Sequence, residues 1–367
     1  MTSRKPLQVG FVIDGKLPSW SRPWQLLLGN PSHSAVGEMR FGWIADHLNV
    51  DAAQKVHYTL YQPWRRYDAV IFMKSMGAEH QTLAQSLCQQ GTRVVFDVNV
   101  DYFSETHGTF YYKGMAPSPR QIEDAHRMAE LSDALIADSS HLATVCAQHH
   151  PRVRWISDNV DLRLAPPWQP WKPGPKLDLL WSGESVKLFE LLSIEDVLRK
   201  FAKRVRLVLV TNSLAALDRW FDPWKTRFEE LLQAVEHEII PFRSIGALLE
   251  TYSRGGVFIS PRFLDNTYNH GHTEWKITLP MACGRVVLCS PLPSYKDVAE
   301  RSRGAGLRLC SDATAWESAL EDALSGKIDF ATEEAAAQAV VKEHYSTPVV
   351  AAAHRDYLAH VCSDAPR

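Results

Sequence analysis

Five prolines fall within the ten residues Pro166–Pro175. Each proline lacks a backbone N–H and fixes φ, so the stretch can be neither a helix interior nor a central strand. It reads as an extended linker, and it divides the chain into two similar halves. On both sides short apolar runs alternate with segments of helical periodicity, the pattern of a parallel sheet covered by helices on both faces.

In the first half strands are expected over 8–13, 67–73, 93–97, 133–137 and 153–156, and helices over 38–48, 79–90 and 141–148. Between the first strand and first helix lies a long irregular loop holding Pro18, Trp20, Pro23, Trp24 and Pro31. After the linker strands are expected over 177–181, 206–210, 238–240, 256–260, 286–289 and 307–310. The helices of this half fall over 189–201, 220–234, 245–252, 314–324, 333–344 and 348–358. Thr347 serves as a cap for the last of them, with Pro348 at its first position. The fold class is therefore α/β, two Rossmann-like domains facing a cleft. The expected division is 1–163, a linker over 164–176, 177–340, and a terminal helix and tail over 341–367 that crosses back to the first domain.

Composition excludes several classes. A chain of 367 residues exceeds one ordinary core, and its net charge of −2 gives no global attraction to nucleic acid. No apolar run approaches the roughly 20 residues of a membrane span, and no signal-peptide pattern precedes the first strand. The six cysteines form no C-x-x-C pair, which argues against a disulfide framework or structural zinc. A cytoplasmic protein is expected, with contact at the inner face of a membrane left open. The 12 tryptophans, several beside prolines, suit loop clamps, or exposed rings that stack on sugars.

Four places can carry chemistry. Asn269, His270, His272, Glu274 and Lys276 crowd a loop and the first turn of a helix that Gly284 stops. A cation at a helix N-terminus is unfavourable unless an anion joins it, so Lys276 with a histidine fits a phosphate site. The alternative is an ordinary loop in which Lys276 pairs with Glu274 or solvent. Ser182, Gly183, Ser185 and Lys187 form a minimal anion cradle after a strand, without P-loop or G-x-G-x-x-G spacing. Asp97 and Asp101 begin like a calcium loop, but Tyr102 stands at its glycine position and Gly108 at its closing glutamate. With Lys74, these two acids follow strands on the first domain's side of the cleft, where they suit hydroxyl binding or proton abstraction, or a capped turn. Cys146, His149 and His150 cluster without a second ligand pair, so no metal is expected.

Three segments carry a resemblance. Trp155-Ile-Ser-Asp-Asn-Val-Asp161 is similar to an I-P-N-G-V-D segment. Lys276-Ile-Thr-Leu-Pro-Met-Ala-Cys-Gly284, with Val286-Val-Leu-Cys-Ser290, is similar to K-x-x-E-x-M-A-x-G-x-P-V-V-x-S, and the residues 294–298 fall where the loop after that strand is found. The residues 67–101 and 343–346 are similar more loosely. Together they resemble the GT-B glycosyltransferases, close to the group 1 (family 4-like, retaining) enzymes. The resemblance implies a nucleotide-sugar donor in the second domain, a glycan, lipid-linked saccharide or protein acceptor in the first, no obligatory metal or cofactor, and polysaccharide biosynthesis as the setting. The lysine of that group falls on Lys276, and its phosphate-side loop and basic residue fall approximately on Gly183 and Lys187. Joined with the loops read above, the expected donor site is Ser182, Gly183, Ser185, Lys187, Asn269, His270 and Lys276, with Glu274, His272 and Asp101 as catalytic candidates and Lys74 and Asp97 on the acceptor side. The paired glutamates of that group fall on Gly271 and Leu279. Two rival expectations remain: an inactive GT-B binding subunit, and a GT-B sugar-nucleotide epimerase.

Overall fold

The structure, a computed structural model, describes residues 5–13, 37–50, 55–111, 114–171, 174–219 and 223–363. Two six-stranded parallel sheets dominate it. The first contains β1 (Leu7–Val12), β2 (Val56–Leu60), β3 (Ala69–Met73), β4 (Arg93–Val98), β5 (Ala134–Ala137) and β6 (Val153–Trp155), in the order β2-β1-β3-β4-β5-β6. The second contains β7 (Leu177–Gly183), β8 (Val205–Thr211), β9 (His237–Pro241), β10 (Val257–Ser260), β11 (Val287–Cys289) and β12 (Leu307–Leu309), in the order β12-β11-β10-β7-β8-β9. The central strands β3, β4, β5 and β10 are buried at every residue. Helices on both faces of a parallel sheet explain that, and explain why these strands read as unbroken apolar runs.

Differences from expectation have local causes. β2, V-H-Y-T-L, is half polar because it is an edge strand, and its periodicity is weak. The first helix opens with a π turn over Glu38–Gly42 before α1 (Trp43–Val50). An unanticipated helix, α2 (Pro119–Leu131), starts at a capping box of Ser118 and Gln121 with proline at its first position. The expected helix over 189–201 divides into a 3-10 run, Ser185–Ile194, and α3 (Glu195–Phe201). The residues 294–298, expected in a loop, lie in α4 (Pro293–Ser302). The loop over 16–36 lies outside the described residues, as do 220–222 of the helix expected from 220.

The final helix, α5 (Thr347–Ser363), crosses back as expected. Val350, Ala351, Leu358 and Val361 join the core beneath the first sheet, and the Tyr357 hydroxyl donates to the Leu135 and Arg152 carbonyls. Thr347 is not its cap; its hydroxyl donates to Asn159 Oδ1 instead. In the proline-rich stretch the Trp168 indole and the Trp171 amide both donate to Glu334, and Trp171 packs on Phe330, so these two tryptophans act as clamps. No helix among the described residues is long and apolar enough to cross a membrane.

Candidate functional site

The strand order of the second sheet reverses at β7. From there β8 follows on one side, while β10 lies on the other. Loops leaving the carboxyl ends of β7 and β10 therefore part at this point, the usual ligand position in such sheets. Ser182 and Gly183 end β7, and Ser185 and Lys187 open the 3-10 run after it. Arg262 follows β10. A loop with one short helical turn, Thr267–His270, then leads to the helix Trp275–Ala282, which carries Lys276 in its first turn.

These elements bring three cations together. Lys276 Nζ lies 4.2 Å above the Trp181 ring. A Cβ on Gly183 would meet that ring at 2.9 Å and Lys276 Nζ at 3.5 Å, so glycine permits the approach. Lys187 Nζ lies 3.4 Å from His272 Nε2 and 5.4 Å from the centre of the Tyr268 ring. His272 Nδ1 donates to the Tyr268 carbonyl at 3.1 Å, which leaves Nε2 as an acceptor facing the ammonium group. Arg262 Nη1 is 3.7 Å from Glu190 Oε1. Buried Glu190 also accepts from the Tyr111 hydroxyl (2.8 Å), the Phe263 amide (2.8 Å) and Asn269 Nδ2 (3.2 Å).

Proton affinities follow from this crowding. Burial, then Arg262, lowers Lys187 to about 8. The same two causes, in the same order, push Lys276 well below its ordinary value. Burial, Lys187 and Arg262 hold His272 neutral. Concentrated positive charge of this kind is relieved by a bound anion.

The other candidates separate from this cluster. His270 Nε2 donates to the Leu264 carbonyl, and Asn269 is occupied by Glu190 and the Phe263 carbonyl. The Ser182 hydroxyl bonds that of Tyr252, and the Ser185 amide donates to Asn212. Glu274, fully buried, points the other way, toward Asp158 and Arg301. Burial and then Asp158 raise it to about 8. Asp97 forms a two-pronged pair with Arg40, at 2.5 and 3.1 Å, so its carboxylate is committed within the first domain. Asp101 accepts the Phe103 and Ser104 amides, the capped-turn alternative. Lys74 stands just past β3 with φ of 53°, in the left-handed region that non-glycine residues rarely adopt. His149 stacks on Phe103, and no group of three or more potential metal ligands occurs among the described residues.

The two positions of the group 1 glutamates are explained. A Cβ on Gly271 would lie 2.8 Å from Asp101 Cβ and 2.9 Å from its amide nitrogen, so the first domain fills that space. Leu279 is a core residue, 1% exposed. Arg262, Glu190 and Tyr111 were missed from sequence. Arg262 follows a strand's carboxyl end, as Lys74 does, and Glu190 interrupts the apolar run 188–192; both were legible signals.

No family model matches the chain, and no curated protein matches it. Solved structures do. A glycosyltransferase from Rickettsia africae superposes with a TM-score of 0.65 at 11% identity, covering 99% of this chain and 100% of that one. Anabaena HepE, in complex with UDP and glucose, gives 0.63 at 12% identity, covering 96% and 100%. Sucrose-phosphate synthase from Thermosynechococcus elongatus gives 0.59 at 15% identity, covering 81% and 74%. The chain has the GT-B fold that these glycosyltransferases share.

Proposed function

We propose that the protein is a glycosyltransferase that moves a sugar from a nucleotide-sugar donor to a hydroxyl-bearing acceptor, with the donor diphosphate at the β7–β10 crevice. The observation that carries this is the convergence of Lys187, Arg262 and Lys276 at the switch point, with Glu190 as the carboxylate among them. As the bond from the sugar to the diphosphate breaks, negative charge grows on the leaving phosphate. Preorganised cations in a half-buried crevice stabilise that charge more than water does. Arg262 cannot lose its proton at any working pH, and an arriving phosphate raises the proton affinity of both lysines. The three cations supply the charge for which other enzymes recruit a metal ion.

The acceptor position in this proposal is the first domain's side of the cleft, where Lys74 follows β3 and Asp101 lies against Gly271. The division near residues 163 and 177, action in the cytoplasm and retention of configuration belong to the same proposal. HepE was solved with UDP and UDP-glucose, which makes uridine diphosphate the first nucleotide to try. Ribose hydroxyls must find a partner other than the residue at Leu279.

One observation favours a second possibility. Gly271 has no space for a side chain and Leu279 lies in an apolar core that would leave a carboxylate unpaired, which suits a nucleotide-binding GT-B protein without transfer activity. A thermal-shift panel of UDP-, GDP-, ADP- and CMP-linked sugars, followed by assay of nucleotide release, separates the two. Stabilisation with release supports the transferase, and stabilisation without release supports the binding subunit. No stabilisation by any donor contradicts both.

A further inference from the structure

The loop 263–272 belongs to the second domain, yet it is framed by a strap from the first. At the root of the strap, Asp101 packs against Gly271. At its tip, the Thr267 amide donates to the His107 carbonyl at 3.0 Å and Thr109 Oγ1 donates to Asp265 at 2.7 Å. Gly108 lies between them with φ of 106°, and a Cβ there would sit 1.9 Å from the Asp265 carbonyl oxygen. At its end, Tyr111 enters the core of the second domain, 1% exposed, and its hydroxyl donates to Glu190.

Glu190 is what makes this matter. Its Oε1 is shared by Tyr111, Asn269 and, at 3.7 Å, Arg262. The tyrosine hydroxyl is the nearest of these, and it draws on the Oε1 lone pairs that would otherwise face Arg262. Without it, Oε1 keeps only Asn269 Nδ2 as a hydrogen-bond donor, so it can tighten on Arg262 and compete with an incoming phosphate.

We propose that the strap 103–111 assembles the anion crevice of the second domain, with Tyr111 as a positioning residue acting through Glu190. This rests on the donor-site proposal above and adds a dependence on the first domain: events on the acceptor side that shift the strap alter donor affinity.

Two full-length variants test it. Tyr111→Phe keeps the ring against Phe189 and Phe263 and removes only the hydroxyl. Gly108→Ala forces the tip of the strap away from Asp265. Both are measured by amide hydrogen exchange of the free protein and by titration with UDP across pH. In Gly108→Ala, exchange within 263–272 rises about tenfold while β8 is unchanged, and UDP affinity falls by about tenfold or more. In Tyr111→Phe, UDP affinity falls, and the pH at which it declines moves upward, because Glu190 now keeps Lys187 charged. A purely structural role does not move that midpoint. Unchanged exchange in 263–272 together with wild-type affinity in both variants overturns the proposal and leaves the donor site standing. Faster or tighter UDP binding on release of the strap also overturns it, because the strap is then a lid. If UDP fails to bind the wild type, the donor site fails, and the exchange data alone decide whether the strap orders the loop.

Discussion

Two buried charge clusters lie at the carboxyl ends of the two sheets, and they handle charge in opposite ways. In the first domain Asp97 lies near the carboxyl end of β4, Asp138 and Asp158 follow β5 and β6, and Glu274 approaches them from the second domain. Arg40 is bonded to Asp97, Asp158 and the Ile156 carbonyl. Burial, then Asp158, raises Asp138, and Glu274 rises to about 8. Surplus acids here can take up protons at neutral pH, and the cluster relaxes without a ligand. In the second domain Arg262 cannot give up its proton, and Lys187 does so only near 8. Surplus positive charge therefore persists and calls for an anion. The first cluster supports structure; the second is suited to binding.

The largest expected effect is on the structural side. Arg40→Leu strands Asp97 and Asp158 in a dry interior and should lower stability by about 3–5 kcal/mol, measured by urea unfolding. An effect near zero would mean that this cluster protonates freely and needs no arginine. On the other side, Lys276→Ala should leave the unfolding curve nearly unchanged while weakening nucleotide binding about a hundredfold. Loss of stability without loss of affinity would exchange the roles assigned to the two clusters.

A pH experiment sharpens the comparison. The proton affinity of Glu274 is raised in the folded state, so the folded protein binds a proton that the unfolded chain releases above its ordinary carboxylate range. Stability attributable to Glu274 is therefore complete below about 4.5 and is lost as pH rises toward about 8. Glu274→Gln should raise the melting temperature by a few degrees at pH 8, about 1–2 kcal/mol, with the gain vanishing near pH 4. A gain that is constant with pH would show that Glu274 is ionised throughout. The smallest effect belongs to Lys187. Nucleotide affinity should fall by about tenfold as pH rises through about 8, and Lys187→Met should flatten the profile.

Much of the fold was legible because parallel strands buried on both faces leave unbroken apolar runs, as in β3 and β5, and because five prolines in ten residues exclude a helix interior or a central strand. β2 was not, because an edge strand needs only one apolar face. The candidate site divides in the same way. Lys187 and Lys276 were visible because each lies just beyond a strand or at a helix start, where local geometry assigns a direction. Tyr111 and Glu190 are 79 positions apart, and their contact exists only once two domains close on each other. Glu274 and Lys276, two positions apart, looked like one group. The helix turns their side chains to opposite sides, one toward each cluster.

The most direct test of the contrast is calorimetric titration of UDP into the wild-type protein, Lys276→Ala and Asp138→Asn. The account predicts saturable binding to the wild type, near wild-type affinity in Asp138→Asn, and a loss of about a hundredfold in Lys276→Ala with the fold intact. Equal affinity in wild type and Lys276→Ala, or a loss confined to Asp138→Asn, would contradict it.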